Sequence, residues 1–128
     1  MNLTWYETLN KPAFTPPSQI FAPAWIILYT MMFAALIFFL KAKTDLDKTQ
    51  GTALFLAQLI FNMLWSPVFF YWKNLSLSLV IIVLLAIFII ATIISFFKVS
   101  KFSAILLIPY FLWVCFAAYL NYGFMLMN

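Results

Sequence analysis

The sequence predicts an all-α integral membrane bundle of four transmembrane helices, preceded by an ordered segment rich in proline and aromatic residues. Three observations predict it. First, 67% of the 128 residues are hydrophobic and only 8% are charged, against about 25% charged in an ordinary soluble domain. A soluble fold this small exposes much of its surface, and seven lysines with three acidic residues cannot cover it. Second, 21% of the residues are aromatic, which excludes a disordered chain. Third, the charges fall between four uncharged apolar runs, at about 21–40, 52–72, 75–97 and 102–127. Each run is long enough to cross about 30 Å of hydrocarbon as a helix. Only helices or closed barrels satisfy their backbone in lipid. Barrel strands alternate apolar with polar residues, and residues 79–90 do not. The whole chain, 1–128, reads as a single membrane domain with no soluble appendage.

The segment before the first run holds Trp5, Tyr6, Lys11, Phe14, Pro16 and Pro17. Four of the six prolines fall within residues 12–23. Proline fixes its own φ and restricts the residue before it, so this stretch is expected to be an ordered, largely non-helical flap at the membrane interface. It is too polar for a cleavable signal peptide. In the second run, Pro67 lacks a backbone donor and is expected to bend its helix, as is Pro109 in the fourth. Gly51 is expected to start the second helix. Asn74 and Ser76 make a short turn, so the second and third spans form a tight antiparallel hairpin. The third span is almost entirely Leu, Ile, Val and Phe. It is expected to serve as lipid-facing scaffold or oligomer contact, with Thr92 bonded to its own helix backbone. Cys115 stands alone in mid-span, so no intrachain disulfide can form. It reads as a small buried thiol.

The net charge of +4 does not indicate nucleic acid, because the lysines are spread over loops and form no basic face. They read as topology determinants. Lys41, Lys43, Lys48, Lys98 and Lys101 fall on one side, and Lys11 and Lys73 on the other. The positive-inside rule places the five-lysine side in the cytoplasm and both termini outside, in a plasma or inner membrane.

No span contains a carboxylate, histidine, arginine or lysine. Ion-coupled transporters usually rely on such groups, and acid–base catalysis needs them. With no histidine and one cysteine, no metal site is expected. No cofactor is required and no conventional catalytic residue is present.

The spans hold aromatic rings and neutral polar groups instead. Gln58, Asn62, Trp65 and Ser66 share one face of the second helix by their spacing. Trp113, Ala117 and Asn121 share a face of the fourth, with Tyr110 one turn earlier. Trp25, Tyr29 and Met32 do the same in the first. Buried amides need partners, so these faces are expected to point inward around a cavity suited to a flat, mostly apolar ligand. The bland alternative is that the amides join helices and that the tryptophans mark the interface. Trp25 and Trp72, near span ends, fit that belt. Trp65 and Trp113 lie deeper.

Three stretches resemble the TspO/MBR family of bacterial tryptophan-rich sensory proteins and translocator proteins, also called peripheral-type benzodiazepine receptors. The first runs from Trp5-Tyr6 to Lys11-Pro12, Phe14-Thr15-Pro16-Pro17, Ala22-Pro23-Ala24-Trp25 and Tyr29. The second is Asn62-Met63-Leu64-Trp65-Ser66-Pro67 with Phe69-Phe70. The third is Pro109-Tyr110, Trp113, Phe116-Ala117-Ala118 and Leu120-Asn121. The resemblance implies a compact helical bundle, often a homodimer, that binds tetrapyrroles such as protoporphyrin IX. By motif it puts Trp25, Asn62, Trp65, Trp113, Ala117 and Asn121 around a pocket beneath the proline-rich loop. Tyr29 and Gln58 join them by helical phase. Lys11 is the cation on the flap side available to a propionate.

Two departures from the family pattern stand out. The family usually carries five spans, the first before the Trp-Tyr motif; with Trp5 so near residue 1, four spans without that helix are expected here. The family's proposed sterol motif also lacks its basic residue after Leu120 and Tyr122, so sterol is not the expected ligand. The leading expectation is therefore a membrane receptor or carrier for a porphyrin-like molecule. The alternatives are an interaction protein without a small ligand, and light-dependent breakdown of the tetrapyrrole.

Overall fold

A computed structural model describes residues 21–127. The flap residues Trp5, Tyr6, Lys11, Phe14, Pro16 and Pro17 lie outside them. The described chain forms four helices: α1 (Phe21–Lys41), α2 (Thr49–Ser66), α3 (Leu75–Phe97) and α4 (Lys101–Met127). All four are long and apolar enough to cross a membrane, with α2 counted through to Phe69. The expected fold class is what is found.

Side-chain bonds mark where the helices start and stop. Lys48 Nζ donates to the carbonyls of Leu40 (2.8 Å) and Ala42 (2.6 Å), closing the end of α1 with a cation. Asp47 Oδ1 accepts from the Thr49 backbone N–H (2.9 Å) and hydroxyl (2.7 Å), meeting one orphan donor at the start of α2. That helix begins earlier than residue 52 for this reason, and Gly51 sits inside its first turn. At the other end of α2, Pro67 cannot donate, and the chain widens into a π-helical turn over Pro67–Tyr71. There Trp72 N–H reaches the Pro67 carbonyl at 3.0 Å, the i→i−5 bond of a π-turn. Lys73 then takes a left-handed backbone (φ 56°), and Asn74 Oδ1 caps α3 by accepting from Leu77 N–H at 2.9 Å. Ser100 Oγ accepts from Ser103 N–H at the start of α4 (3.3 Å).

In the bundle, α3 packs on both α2 and α4, and α1 packs on α4. The inward stripe of α3 is Ser78, Ile82, Leu85, Ile89, Thr92 and Phe96, alternating four and three residues apart as knobs-into-holes packing requires. The expected scaffold role is thus divided. This stripe is core, whereas Val80, Val83, Ile87, Ile90, Ile94 and Phe97 face outward. Thr92 does donate to its own helix, at Phe88 O (2.7 Å). Near the lysine-rich end, Phe39 stacks on Phe96 at 4.0 Å with Phe55 beyond it. Cys115 is exposed on α4, contrary to the buried thiol expected. It lies out of phase with the buried stripe Leu107, Tyr110, Val114, Ala117 and Asn121.

The backbones of α1 and α2 stay further apart, and side chains bridge them. Tyr29 meets Asn62, Met32 meets Gln58 and Phe33 meets Phe55.

Candidate ligand-binding site

Three helices deliver one tryptophan each to a common point. Trp25 comes from the first turns of α1, Trp65 from the end of α2 and Trp113 from the middle of α4. The Trp25 ring lies 6.3 Å from Trp65 and 6.3 Å from Trp113, edge-on to the latter, and 5.8 Å from Tyr29. These separations lie in the range where tilted and edge-to-face rings attract. Trp65 also stacks on Phe69 at 5.1 Å. Trp72 lies apart, at the end of the π-turn and 71% exposed, as an interfacial residue would.

Beneath the tryptophans the amides are tied to other protein groups. Tyr29 donates its hydroxyl to Asn62 Oδ1. Asn62 Nδ2 donates to Tyr110 Oη at 2.7 Å, and Tyr110 donates to Gln58 Oε1 at 2.7 Å. Gln58 Nε2 ends the chain on Met32 Sδ at 3.6 Å. A second link runs from Trp65 Nε1 to Asn121 Oδ1 (3.0 Å) and from Asn121 Nδ2 to the Leu75 carbonyl (2.9 Å). Gln58, Asn62, Tyr110 and Asn121 are all buried, so each bond replaces one that water would have made. The links join α1, α2, α3 and α4, as interhelical amides do in membranes.

Two hollows flank the tryptophans. A recess of about 130 Å³ between α1 and α2 is lined by Trp25, Tyr29, Asn62, Trp65 and Ser66. An open groove of about 490 Å³ between α1 and α4 is lined by Ala24, Ile27, Leu28, Pro109, Leu112, Trp113 and Phe116. Trp25 borders the recess and Trp113 the groove, so their ring contact stands between the two. Of the eight residues expected at a site, Trp25, Tyr29, Asn62 and Trp65 border the recess and Trp113 borders the groove. Gln58, Ala117 and Asn121 are buried behind them. No cluster of metal-ligating residues exists among the described residues. The described lining is uncharged and can hold an apolar ring and orient it.

The profile of the TspO/MBR family matches residues 1–127. The chain belongs to the TspO/MBR family. The tryptophan-rich protein TspO of Chlorobaculum tepidum is 42% identical to it over 125 residues, covering 97% of this chain and 79% of the relative. The tryptophan-rich sensory protein of Cereibacter sphaeroides is 36% identical over 124 residues (97% and 77%). The human translocator protein is 32% identical over 122 residues (94% and 72%). With its four membrane-length helices, this TspO/MBR chain is an integral multi-pass membrane protein.

Sequence reasoning placed Tyr110 on the inward face but not among the site residues. The structure makes it the hub that joins Asn62 to Gln58. Its spacing to Trp113, Ala117 and Asn121 signalled the direction it faces. Nothing in the spacing identified its partners on α2.

Proposed function

We propose that this TspO/MBR protein is a membrane receptor or carrier for a flat hydrophobic ligand, a tetrapyrrole such as protoporphyrin IX. The observation that carries the reading is the convergence of Trp25, Trp65 and Trp113 from three helices beside two hollows that carry no charge among the described lining residues. Ligand sites usually enclose about 300–1,000 Å³. The groove lies in that range, whereas the recess suits one ring or the edge of a larger molecule. Indole faces can stack on a macrocycle, each contact contributing about 0.5–1.5 kcal/mol beyond simple burial. The names of the relatives, sensory protein and translocator protein, fit signalling about a bound cargo or moving one.

Protoporphyrin IX titrated into the detergent-solubilised protein should quench tryptophan emission saturably. Trp25→Phe and Trp113→Phe should each weaken that binding several-fold. Quenching curves unchanged in both variants would remove the assignment. The five-lysine end is assigned to the cytoplasm on the lysine asymmetry.

A further inference from the structure

Every helix of the bundle carries a lysine at the same end. Lys41 is the last residue of α1 and Lys101 the first of α4, Lys48 precedes α2 and Lys98 follows α3. Lys43 lies in the loop between α1 and α2. Lys48 turns its ammonium to the carbonyls of Leu40 and Ala42. Lys41, Lys43, Lys98 and Lys101 are exposed. The acids at this end are Asp45 and Asp47, and Asp47 turns its carboxylate to Thr49. The surface that remains is cationic.

Two of these lysines frame an apolar seam. Phe38 of α1 meets Phe102 of α4 edge to face, with centroids 4.9 Å apart, and both rings are about half exposed. Lys41 lies three residues beyond Phe38 and so shares its side of α1. Lys101 directly precedes Phe102. Its ammonium stands 5.7 Å from the Phe97 ring, close enough for the ring face to attract it. Exposed Ile105 extends the apolar surface one turn along α4. Cations thus stand at the ends of the spans, and an exposed aromatic pair begins directly beneath them. Lysine stems keep such ammonium groups at headgroup level while their carbons lie along apolar surface. A free inorganic anion would use the lysines and leave the rings unused. A phospholipid uses both. We infer that the α1–α4 seam at the lysine-rich end docks an anionic phospholipid, with its headgroup between Lys41 and Lys101 and an acyl chain along Phe38, Phe102 and Ile105. The seam is distinct from the tryptophan-lined hollows. Lys41 lies sixteen residues along α1 from Trp25, about 24 Å by helical rise, so the two assignments stand or fall separately.

Phosphatidylglycerol and phosphatidylcholine with identical chains test it, since they differ in net headgroup charge. The full chain in detergent is given equal amounts of both, and native mass spectrometry counts the lipid retained. Each lysine beside an anionic headgroup favours it about fivefold, so phosphatidylglycerol should be retained at least fivefold over phosphatidylcholine. The excess should shrink as salt is raised. Lys41→Gln with Lys101→Gln should reduce it several-fold, and Lys73→Gln, at the opposite end, should leave it unchanged. Equal retention of the two lipids by the wild type overturns the inference. A loss as large in Lys73→Gln as in the double variant overturns the placement. Inorganic phosphate should displace no more lipid than chloride of the same ionic strength, and stronger displacement would assign the lysines to a free anion instead. A dimer in the same spectra with neither lipid enriched would show a second copy covering the seam, which also overturns it. The wild-type ratio and its salt dependence decide if the double variant does not fold.

Discussion

Gly51 is small because a phenylalanine ring occupies the space a side chain would need. A Cβ there would lie 2.6 Å from Phe39 Cζ and 3.0 Å from Ser95 Oγ. Phe39 has little room to retreat, being buried and stacked on Phe96. Gly51→Ala should therefore lower stability by about 1–3 kcal/mol, the usual cost of overpacking, seen as a reduced Tm in detergent. An unchanged Tm would mean that the ring yields freely. Trp65 illustrates the opposite loss. Trp65→Phe keeps an aromatic ring but leaves Asn121 Oδ1 without its indole donor, at an expected cost of about 1–3 kcal/mol. Adding Asn121→Leu should cost less than the two single changes summed, since one bond is removed in both. Additive losses in that cycle would deny the coupling. Both positions show what the chain alone conveys at this scale. The inward direction of Trp65 is legible from its spacing to Gln58 and Asn62. The partner across the helix is not, because periodicity gives a face and no neighbour. The proximity of Phe39 to Gly51 is hidden for the same reason.

At the level of elements, the ends of the helices are as informative as their middles. The apolar runs are legible because lysines and acids punctuate them. What the runs do not reveal is how each end is finished. Thr49 belongs to α2 because Asp47 holds its backbone N–H, and Pro67 produces a π-turn rather than a simple bend. Asp47 makes this testable by pH. Hydrogen bonds from the Thr49 hydroxyl and backbone hold its carboxyl below the ordinary carboxylate range. A group with a lowered folded pKa stabilises fully above its unfolded value, and the contribution disappears as pH falls through the folded one. The wild type should thus exceed Asp47→Ala in Tm by a constant margin above about pH 5. That margin should shrink as pH drops below about 4, the ordinary aspartate value. A margin that persists into stronger acid would show that the carboxylate charge is not what holds this turn. In α4, Pro109 lies inside a helix that continues to Met127, and it borders the groove with Ala24 and Leu28. A small residue facing a proline leaves space between two otherwise bulky surfaces.

Across the whole molecule, four antiparallel spans bring Lys41, Lys43, Lys48, Lys98 and Lys101 to one end and leave Lys73 at the other. A reporter fused after Asn128 should be found on the non-cytoplasmic side. Replacing both Lys98 and Lys101 by Gln should produce a mixed orientation, because little asymmetry then remains. A cytoplasmic reporter in the wild type would invert the assignment. The fold was legible at this scale from the apolar composition and the charges that punctuate it. The candidate site was legible only as three faces turned inward. That Gln58 and Asn121 lie behind the hollows, tied to Met32, Tyr110, Trp65 and Leu75, follows from side chains meeting in three dimensions. The groove between α1 and α4 carries one more implication. Ile27 and Leu112 on its rim are 60% and 61% exposed, within membrane-length spans, so the groove opens toward hydrocarbon rather than water. The relevant concentration of any apolar occupant is then its mole fraction in the bilayer. Affinity expressed per litre of buffer will fall as more lipid is added around the same amount of protein, while affinity expressed per lipid stays constant.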